Sequence, residues 1–448
     1  MASQESEPAA LLPQVLLEHC QQDGIDPATY ALPALEAACR PLHLRLRGSC
    51  SLAQVAVAAG AGSTVHPVQH LPHCAVVHAA DTTVSKWELF RSGGVYPMNA
   101  ASVAAVAALH LGPGQQALEL CCAPGGKLIA MADAMHMQGG VTGVDLSADR
   151  LAVACRLLQR HGVVRRGVHQ AGWRCRVLLG DATRITVPPR LPLDAVGFAA
   201  PDCTALTRLP THNSSARGQK RARTPPSDTQ ARVGVPPYKV LIDSAVENRI
   251  KNKSLHGPLV QGNDTHAHAD SSSSPPAHLF DAVLVDAECS HDGSLPHMLK
   301  LAKQHWQGLG ITTLQKDRVA ALPALQGALL RRGWAHLAPG GRLVYSTCSL
   351  GRAQNEGVIG AFLQSHPDAL VVPAEWEQAH GEEGGAADAA DSSGGGGRIG
   401  APHILRPLAG GVQHTLRFDP LQSGAGGLFI ACLVKAHSNT AGAVEPAA

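Results

Sequence analysis

Apolar positions along the chain alternate between short continuous runs and longer stretches with helical spacing. Leu118-Glu119-Leu120-Cys121 reads as a short strand, followed by a glycine-rich turn and an apolar helix through Met135. Val141 to Val144 predicts a second strand, 147–161 has helical periodicity, and Arg176 to Leu179 predicts a third strand. Phe280 to Val285 is apolar and bounded by Pro and Asp, as in a strand buried on both faces. Residues 319–336 put Leu322, Leu325, Leu329 and Leu330 on one helical face. Pro339-Gly340-Gly341 then turns into a strand from Leu343 to Ser346. Strands alternating with helices predict an α/β fold, a parallel sheet covered on both faces. Such sheets bind ligands at the carboxyl ends of their strands.

The pattern breaks in three places. Residues 212–231 and 262–276 are rich in Ser, Thr, Pro, His and Gly, and include the basic string Arg217-Gly218-Gln219-Lys220-Arg221-Ala222-Arg223. Such segments bury too little apolar area to offset their ordering entropy. Residues 379–398 form a second weak stretch, and the last dozen residues resemble a frayed tail. Residues 233–258 combine the apolar Val240-Leu241-Ile242 with Arg249, Lys251 and Lys253, which leaves an ordered island inside an insertion open. The expected organisation is an N-terminal helical, substrate-orienting region over 1–92 and a catalytic domain over 93–436. That domain is interrupted by a largely disordered insertion at about 205–277 and a flexible loop at 379–398, and a disordered tail follows at 437–448.

Composition narrows the functional classes. With 37 Lys+Arg against 35 Asp+Glu, the net charge of +2 announces neither nucleic acid nor membrane. A nucleic-acid role therefore needs local basic patches, and Arg40, Arg45 and Arg47 offer one. The other reading of that stretch is a strand with a solvated basic face. No apolar run is long enough for a transmembrane helix. Glu5 and Glu7 near the start argue against a secretory signal or an Arg-rich transit peptide. The 12 cysteines are scattered without a C-x-x-C pair, which argues against structural zinc and a disulfide scaffold. No metal is expected, and reactive thiols become the interesting option.

The first candidate site is Cys122-Ala123-Pro124-Gly125-Gly126-Lys127, between a strand and a helix. Gly125 and Gly126 allow close backbone approach to a ligand, although the spacing is neither a P-loop nor G-x-G-x-x-G. Asp145 ends the second strand, where an acid suits a ribose diol. Asp181 follows the third, where a carboxylate can accept from an adenine amino group. Each acid alone is as well read as a helix cap. Together the three strand ends favour a nucleoside cofactor.

Cys289 follows the fourth strand in Asp286-Ala287-Glu288-Cys289-Ser290, and Cys348 follows the fifth in Ser346-Thr347-Cys348-Ser349. A lone Cys is usually a small buried hydrophobe, but two at strand ends beside a cofactor loop suit methylation of an unactivated pyrimidine carbon. A thiolate adding to C6 of cytosine makes C5 nucleophilic toward an electrophilic methyl. Asp286 suits the N3/N4 edge, and a second thiol suits removal of the C5 proton.

These pieces, in this order, resemble the Sun-type (Nop/Sun, RsmB-like) RNA cytosine-C5 methyltransferases. The resemblance rests on Leu120 to Lys127, Asp145, Gly180-Asp181-Ala182, Asp286 to Ser290, Val344 to Leu350, Gln354-Asn355-Glu356 and Leu428 to Ala431. It covers roughly 95–190, 278–370 and 400–436. It implies a Rossmann-like class I methyltransferase domain with a mainly parallel seven-stranded sheet, and S-adenosylmethionine as methyl donor. It implies that Cys121, Cys122, Ala123, Pro124, Gly125, Gly126, Lys127, Asp145, Asp181 and Asp286 line the cofactor site. It further implies Cys348 as nucleophile, Cys289 as releasing thiol and Lys127 near the reacting centre. The implied partner is tRNA or rRNA, met by a monomer without membrane attachment, in the nucleus, nucleolus, cytoplasm or an organelle.

The chain departs from the family in having Glu288 where Pro is usual. This loosens a preset φ and sets a carboxylate beside Cys289, which is expected to raise that thiol's pKa if close. The alternatives are a methyltransferase for protein or a small molecule, which needs no thiol pair, and a non-catalytic RNA-binding module with a decayed site.

Overall fold

The computed structural model describes residues 12–79, 83–164, 172–185, 187, 238–243, 279–374, 398–399, 403 and 408–436. The tail at 437–448 and most of the stretches at 205–277 and 379–398 lie outside the described residues.

The strands are β1 (Leu42–Leu46), β2 (Thr64–Pro67), β3 (Cys74–His78), β4 (Val95–Pro97), β5 (Gln116–Leu120), β6 (Gly139–Asp145), β7 (Trp173–Gly180), β8 (Tyr238–Asp243), β9 (Phe280–Asp286), β10 (Leu337–Thr347), β11 (Ala369–Val372), β12 (Arg398–Ile399), β13 (Leu408–Ala409), β14 (Leu416–Phe418) and β15 (Leu428–Lys435). The main sheet runs β13-β14-β15-β10-β9-β5-β6-β7-β8, with β11 also paired to β15. The run β10-β9-β5-β6-β7 is parallel. β15 is antiparallel to β10, and β11 antiparallel to β15. These seven strands are the sheet expected from the sequence. Three more extend it to ten. One is β8, antiparallel to β7, so the 233–258 stretch does contain an ordered strand.

The central strands are apolar on both faces because helices cover both. Ala100–Ala107, Gly126–Ala134 and Ala148–Arg160 build the core on one side. Lys316–His336 and Glu356–Ser365 build it on the other, where Leu329, Leu330, Trp334 and Ile359 meet Val283, Val285 and Tyr345. Burial of this kind stabilises by about 25 cal/mol per Å² of apolar surface.

The N-terminal region corrects the expectation of a helical unit over 1–92. Helices Gln14–Asp23, Leu32–Cys39 and Leu52–Ala59 are present, but so is a five-stranded sheet, β12-β2-β3-β1-β4. The period-two alternation of Leu42-His43-Leu44-Arg45-Leu46 accounts for β1. β4 carries the sheet past residue 92. β12 comes from the far end of the chain, pairing Arg398 with Thr64 and Ile399 with Val65. The first two helices and the turn between them instead pack Leu16, Leu35 and Tyr30 against Leu295, Met298 and Leu309.

Candidate active site

β5 ends at Leu120, and Cys121 turns out of it with φ +62, a left-handed conformation uncommon outside glycine. Gly125, at φ +97, starts the helix Gly126–Ala134. The two glycines answer to the protein as much as to a ligand. A Cβ on Gly125 would lie 3.1 Å from Ala154 Cβ, and one on Gly126 3.0 Å from Tyr96 Oη. The Tyr96 hydroxyl, from β4, donates to the Gly126 carbonyl. The small sheet thus pins the loop from behind.

The acids collect around this loop. Asp145 is buried and accepts from the backbone N–H of Ala123 (3.0 Å) and Ser147 (2.9 Å). Asp181 accepts from Thr183 N–H and Oγ1 at 2.9 and 2.6 Å, the cap-like arrangement weighed for it above. Lys127 Nζ donates to Asp286 Oδ2 (2.7 Å), and Ser346 Oγ to Asp286 Oδ1 (2.8 Å). Burial works against the Lys127 charge, but Asp286 more than offsets it and holds the ammonium above its usual range. Glu119, in mid-strand on β5, was not anticipated as a site residue. It is 1% exposed and its Oε2 has no hydrogen-bond partner among the described residues. Burial pushes its carboxyl well up, against the nearby Lys127.

The two thiols meet. β9 and β10 are parallel neighbours with Asp286 opposite Ser346, so the loops that follow them lie side by side. Cys289 Sγ and Cys348 Sγ are 3.3 Å apart. The Gly293 N–H donates to the Cys348 carbonyl (2.9 Å), and Ser290 Oγ to Ser349 Oγ (2.9 Å). Gln354 Nε2 donates to Ser290 Oγ (2.9 Å) and Asn355 Nδ2 to the Ser349 carbonyl (2.9 Å). This buried polar net fixes the sulfur positions.

Cys289 differs in acidity from the other described cysteines whose shifts are resolved. Burial pushes Cys74, Cys121 and Cys432 up to about 12, and Cys122 well above its usual range. Cys122 is buried behind the loop and Cys121 is half-buried. In the close pair, the hydrogen bond with Cys348 draws Cys289 down to about 6 against burial, with His291 assisting. The same bond, then burial, pushes Cys348 well up. The two titrate as a unit in which the first thiolate forms easily and the second does not. The expectation that Glu288 would raise Cys289 is overturned. Glu288 turns outward to Arg318 (3.2 Å), whose Nη2 also donates to the Cys289 carbonyl (2.9 Å).

Sequence reasoning missed His291. Its Nδ1 lies 3.1 Å from Cys348 Sγ and 3.6 Å from Cys289 Sγ. Its neighbour in sequence, Cys289, was a possible signal, but the contact to Cys348 spans 57 residues.

Arg45 and Arg47 are not the solvent-facing patch expected for RNA. Arg47 Nε donates to Asp133 Oδ2 (2.8 Å), and Arg45 reaches the same carboxylate at 3.4 Å. Both belong to the junction between β1 and the helix Gly126–Ala134, beside a cavity of about 860 Å³ that also takes in His70, His73 and His136. Arg40 is exposed.

Comparison with known proteins bears on this site. Residues 244–434 match the family model described as 16S rRNA methyltransferase RsmB/F. Ribosomal RNA small subunit methyltransferase B of Erwinia tasmaniensis is 42% identical over 94 residues, 21% of this chain and 20% of its own length. The probable ribosomal RNA small subunit methyltransferase B of Synechocystis is 39% identical over 108 residues, 24% and 22% of the two chains. The alignments thus span about a fifth of the length of these curated relatives. Two solved structures share the fold over nearly the whole chain. A methyltransferase homolog from Pyrococcus horikoshii has TM-score 0.52 at 18% identity, covering 96% of this chain and all 100% of that one. NSun6 from Pyrococcus horikoshii with SFG has TM-score 0.54 at 13% identity, covering 96% and 99%. The thiol pair and Asp286 therefore fall inside the stretch that matches the 16S rRNA methyltransferase RsmB/F family model.

Proposed function

We propose that the chain methylates C5 of a cytosine in RNA, rRNA or tRNA, with S-adenosylmethionine as donor. The observation that carries this reading is the pair of sulfurs 3.3 Å apart at the ends of neighbouring strands, beside the Pro-Gly loop. A methyl transfer to oxygen or nitrogen has no use for two such thiols.

The residues present fit the donor. The buried, unpartnered Glu119 Oε2 and the nearby Asp286 suit a ligand carrying ammonium and sulfonium charge. Asp145 stands at the β6 end for a ribose diol, and Asp181 beyond β7 for an adenine amino group. When bound, the donor supplies an electrophilic methyl group.

The chain's own residues do the rest. Cys348 attacks C6 of the flipped base, which turns C5 into a nucleophile. Asp286, its charge balanced by Lys127, holds the N3/N4 edge. Cys289 takes the C5 proton so that the C6–S bond breaks. The test is incubation with isotopically labelled S-adenosylmethionine and rRNA or tRNA transcripts, with mass spectrometry for 5-methylcytidine. Cys348→Ala is expected to abolish transfer while still binding the donor by calorimetry. Cys289→Ala is expected to leave a protein–RNA adduct on a denaturing gel. Full turnover by Cys348→Ala, or label in any other product, contradicts the proposal.

A further inference from the structure

We propose that His291 is the proton acceptor that generates the Cys348 thiolate. This deepens the reading above and rests on it for the use to which the thiolate is put.

Geometry carries the inference. One donor atom each from Cys289, His291 and Cys348 lies within 4.8 Å of the others, and the His291 ring is nearer Cys348 than Cys289. His291 adopts φ +58, a conformation that histidine tolerates better than most residues. Its flanking residues are both buried and tied down: Ser290 by Gln354 and Ser349, and Asp292 by the Leu350 N–H (3.0 Å). The ring itself is exposed, so its proton can exchange with solvent.

The charges around the cluster are already matched. Facing His291 are Glu288 and Arg318, paired to each other, and His297, which contacts Thr313 Oγ1 at 3.1 Å. Facing Cys348 are Lys127 and Asp286, also paired, and Asp292, paired with His19. The imidazole is left to answer the thiol. Its hydrogen bond with Cys289 holds the ring above the ordinary imidazole range, against partial desolvation by the groups around it.

The step balances. The first proton lost from the thiol pair passes to His291: an S–H bond breaks, an Nδ1–H bond forms, and the remaining proton is shared between sulfurs 3.3 Å apart, so an electron pair is available on Cys348 when C6 approaches. The thiolate adds to C6. When the C6–S bond breaks, its electrons return to Cys348 and the His291 proton goes back to that sulfur. Once Cys348 is bonded to C6, the Cys289 thiol gives its proton to solvent, and its thiolate then takes the C5 proton, whose C–H electrons form the C5=C6 bond as the C6–S bond breaks.

The test follows alkylation of Cys348 by iodoacetamide across mildly acidic to alkaline pH, read by peptide mass spectrometry in a Cys289→Ser background. His291→Asn keeps a residue that accepts the left-handed backbone. It is expected to slow alkylation at neutral pH by about tenfold and to move its rise toward free-thiol pH, with donor binding intact by calorimetry. An unchanged alkylation profile would overturn the proposal. If His291→Asn fails to bind the donor, His291→Gly with added imidazole decides. Faster alkylation on adding imidazole supports the role, and no response overturns it. In the unmodified protein, His291→Asn is expected to lower methyl transfer by about a hundredfold. Alkylation needs neither RNA nor donor, so absence of 5-methylcytidine from the wild-type reaction would count against the RNA reading alone.

Discussion

Glu119 sits where a central strand would ordinarily place an aliphatic side chain, and its buried carboxyl resists ionisation. A carboxyl whose folded pKa is raised contributes stability below its unfolded value and loses it as pH rises through the folded value. Glu119→Gln is therefore expected to raise the melting temperature of the ligand-free protein at neutral to alkaline pH and to weaken S-adenosylmethionine binding. Thermal scans with and without donor check both. Asp286→Asn acts in the opposite sense. It leaves the Lys127 ammonium mostly buried beside a neutral amide, at a cost of about 2–4 kcal/mol, and should show as a lowered urea midpoint together with lost transfer. The glycine loop, Asp286 and the two cysteines were legible in the sequence because each sits in a short motif with its own chemistry. Glu119 was read only as part of a strand, and His291 went unread. What makes each special is a neighbour supplied by another segment, or the absence of one.

At the scale of elements, β9 and β10 were legible from their apolar runs, and their adjacency is what brings the sulfurs together. β8 was legible only as an apolar triplet, since a strand is defined by the edge it joins. β1 was misjudged more instructively. Basic residues in and just after it looked like a face for phosphates, yet Arg45 and Arg47 both turn to Asp133 on the helix Gly126–Ala134. Removing a shared counter-charge leaves two guanidiniums with little solvent. Asp133→Ala is expected to destabilise by about 3 kcal/mol, measured by denaturant titration. Arg40→Ala, at an exposed position, should leave the midpoint unchanged.

At the scale of the whole molecule, the N-terminal helices reach the loop after β9 through a buried polar contact as well as apolar packing. His19 lies 3.3 Å from both Asp292 and Asp23. Burial opposes the His19 charge, but Asp292 prevails and raises the ring above its ordinary 6.5. Burial likewise opposes Asp292, yet His19 and Ser290 hold it below 3.8. The His19 contribution is full below about pH 6.5 and lost as pH rises through the raised value. That of Asp292 is present above its ordinary value and lost as pH falls through the lowered one. The pair thus stabilises in mildly acidic solution. A His19→Gln variant should melt lower than wild type near about pH 5.5, with the gap closing toward alkaline pH. Nothing local in the sequence marks this contact, which joins positions some 270 residues apart.

The two residues of β12 carry a consequence for biosynthesis. During translation from the N-terminus, β2 emerges hundreds of residues before Arg398 and Ile399, the partners that cap it. Until then its outer rim of amide and carbonyl groups stands bare, a template on which a second nascent chain can add a strand. Full-length chains carrying Ile399→Pro, which lose this partner strand, should clump as they are made, whereas unaltered chains should not.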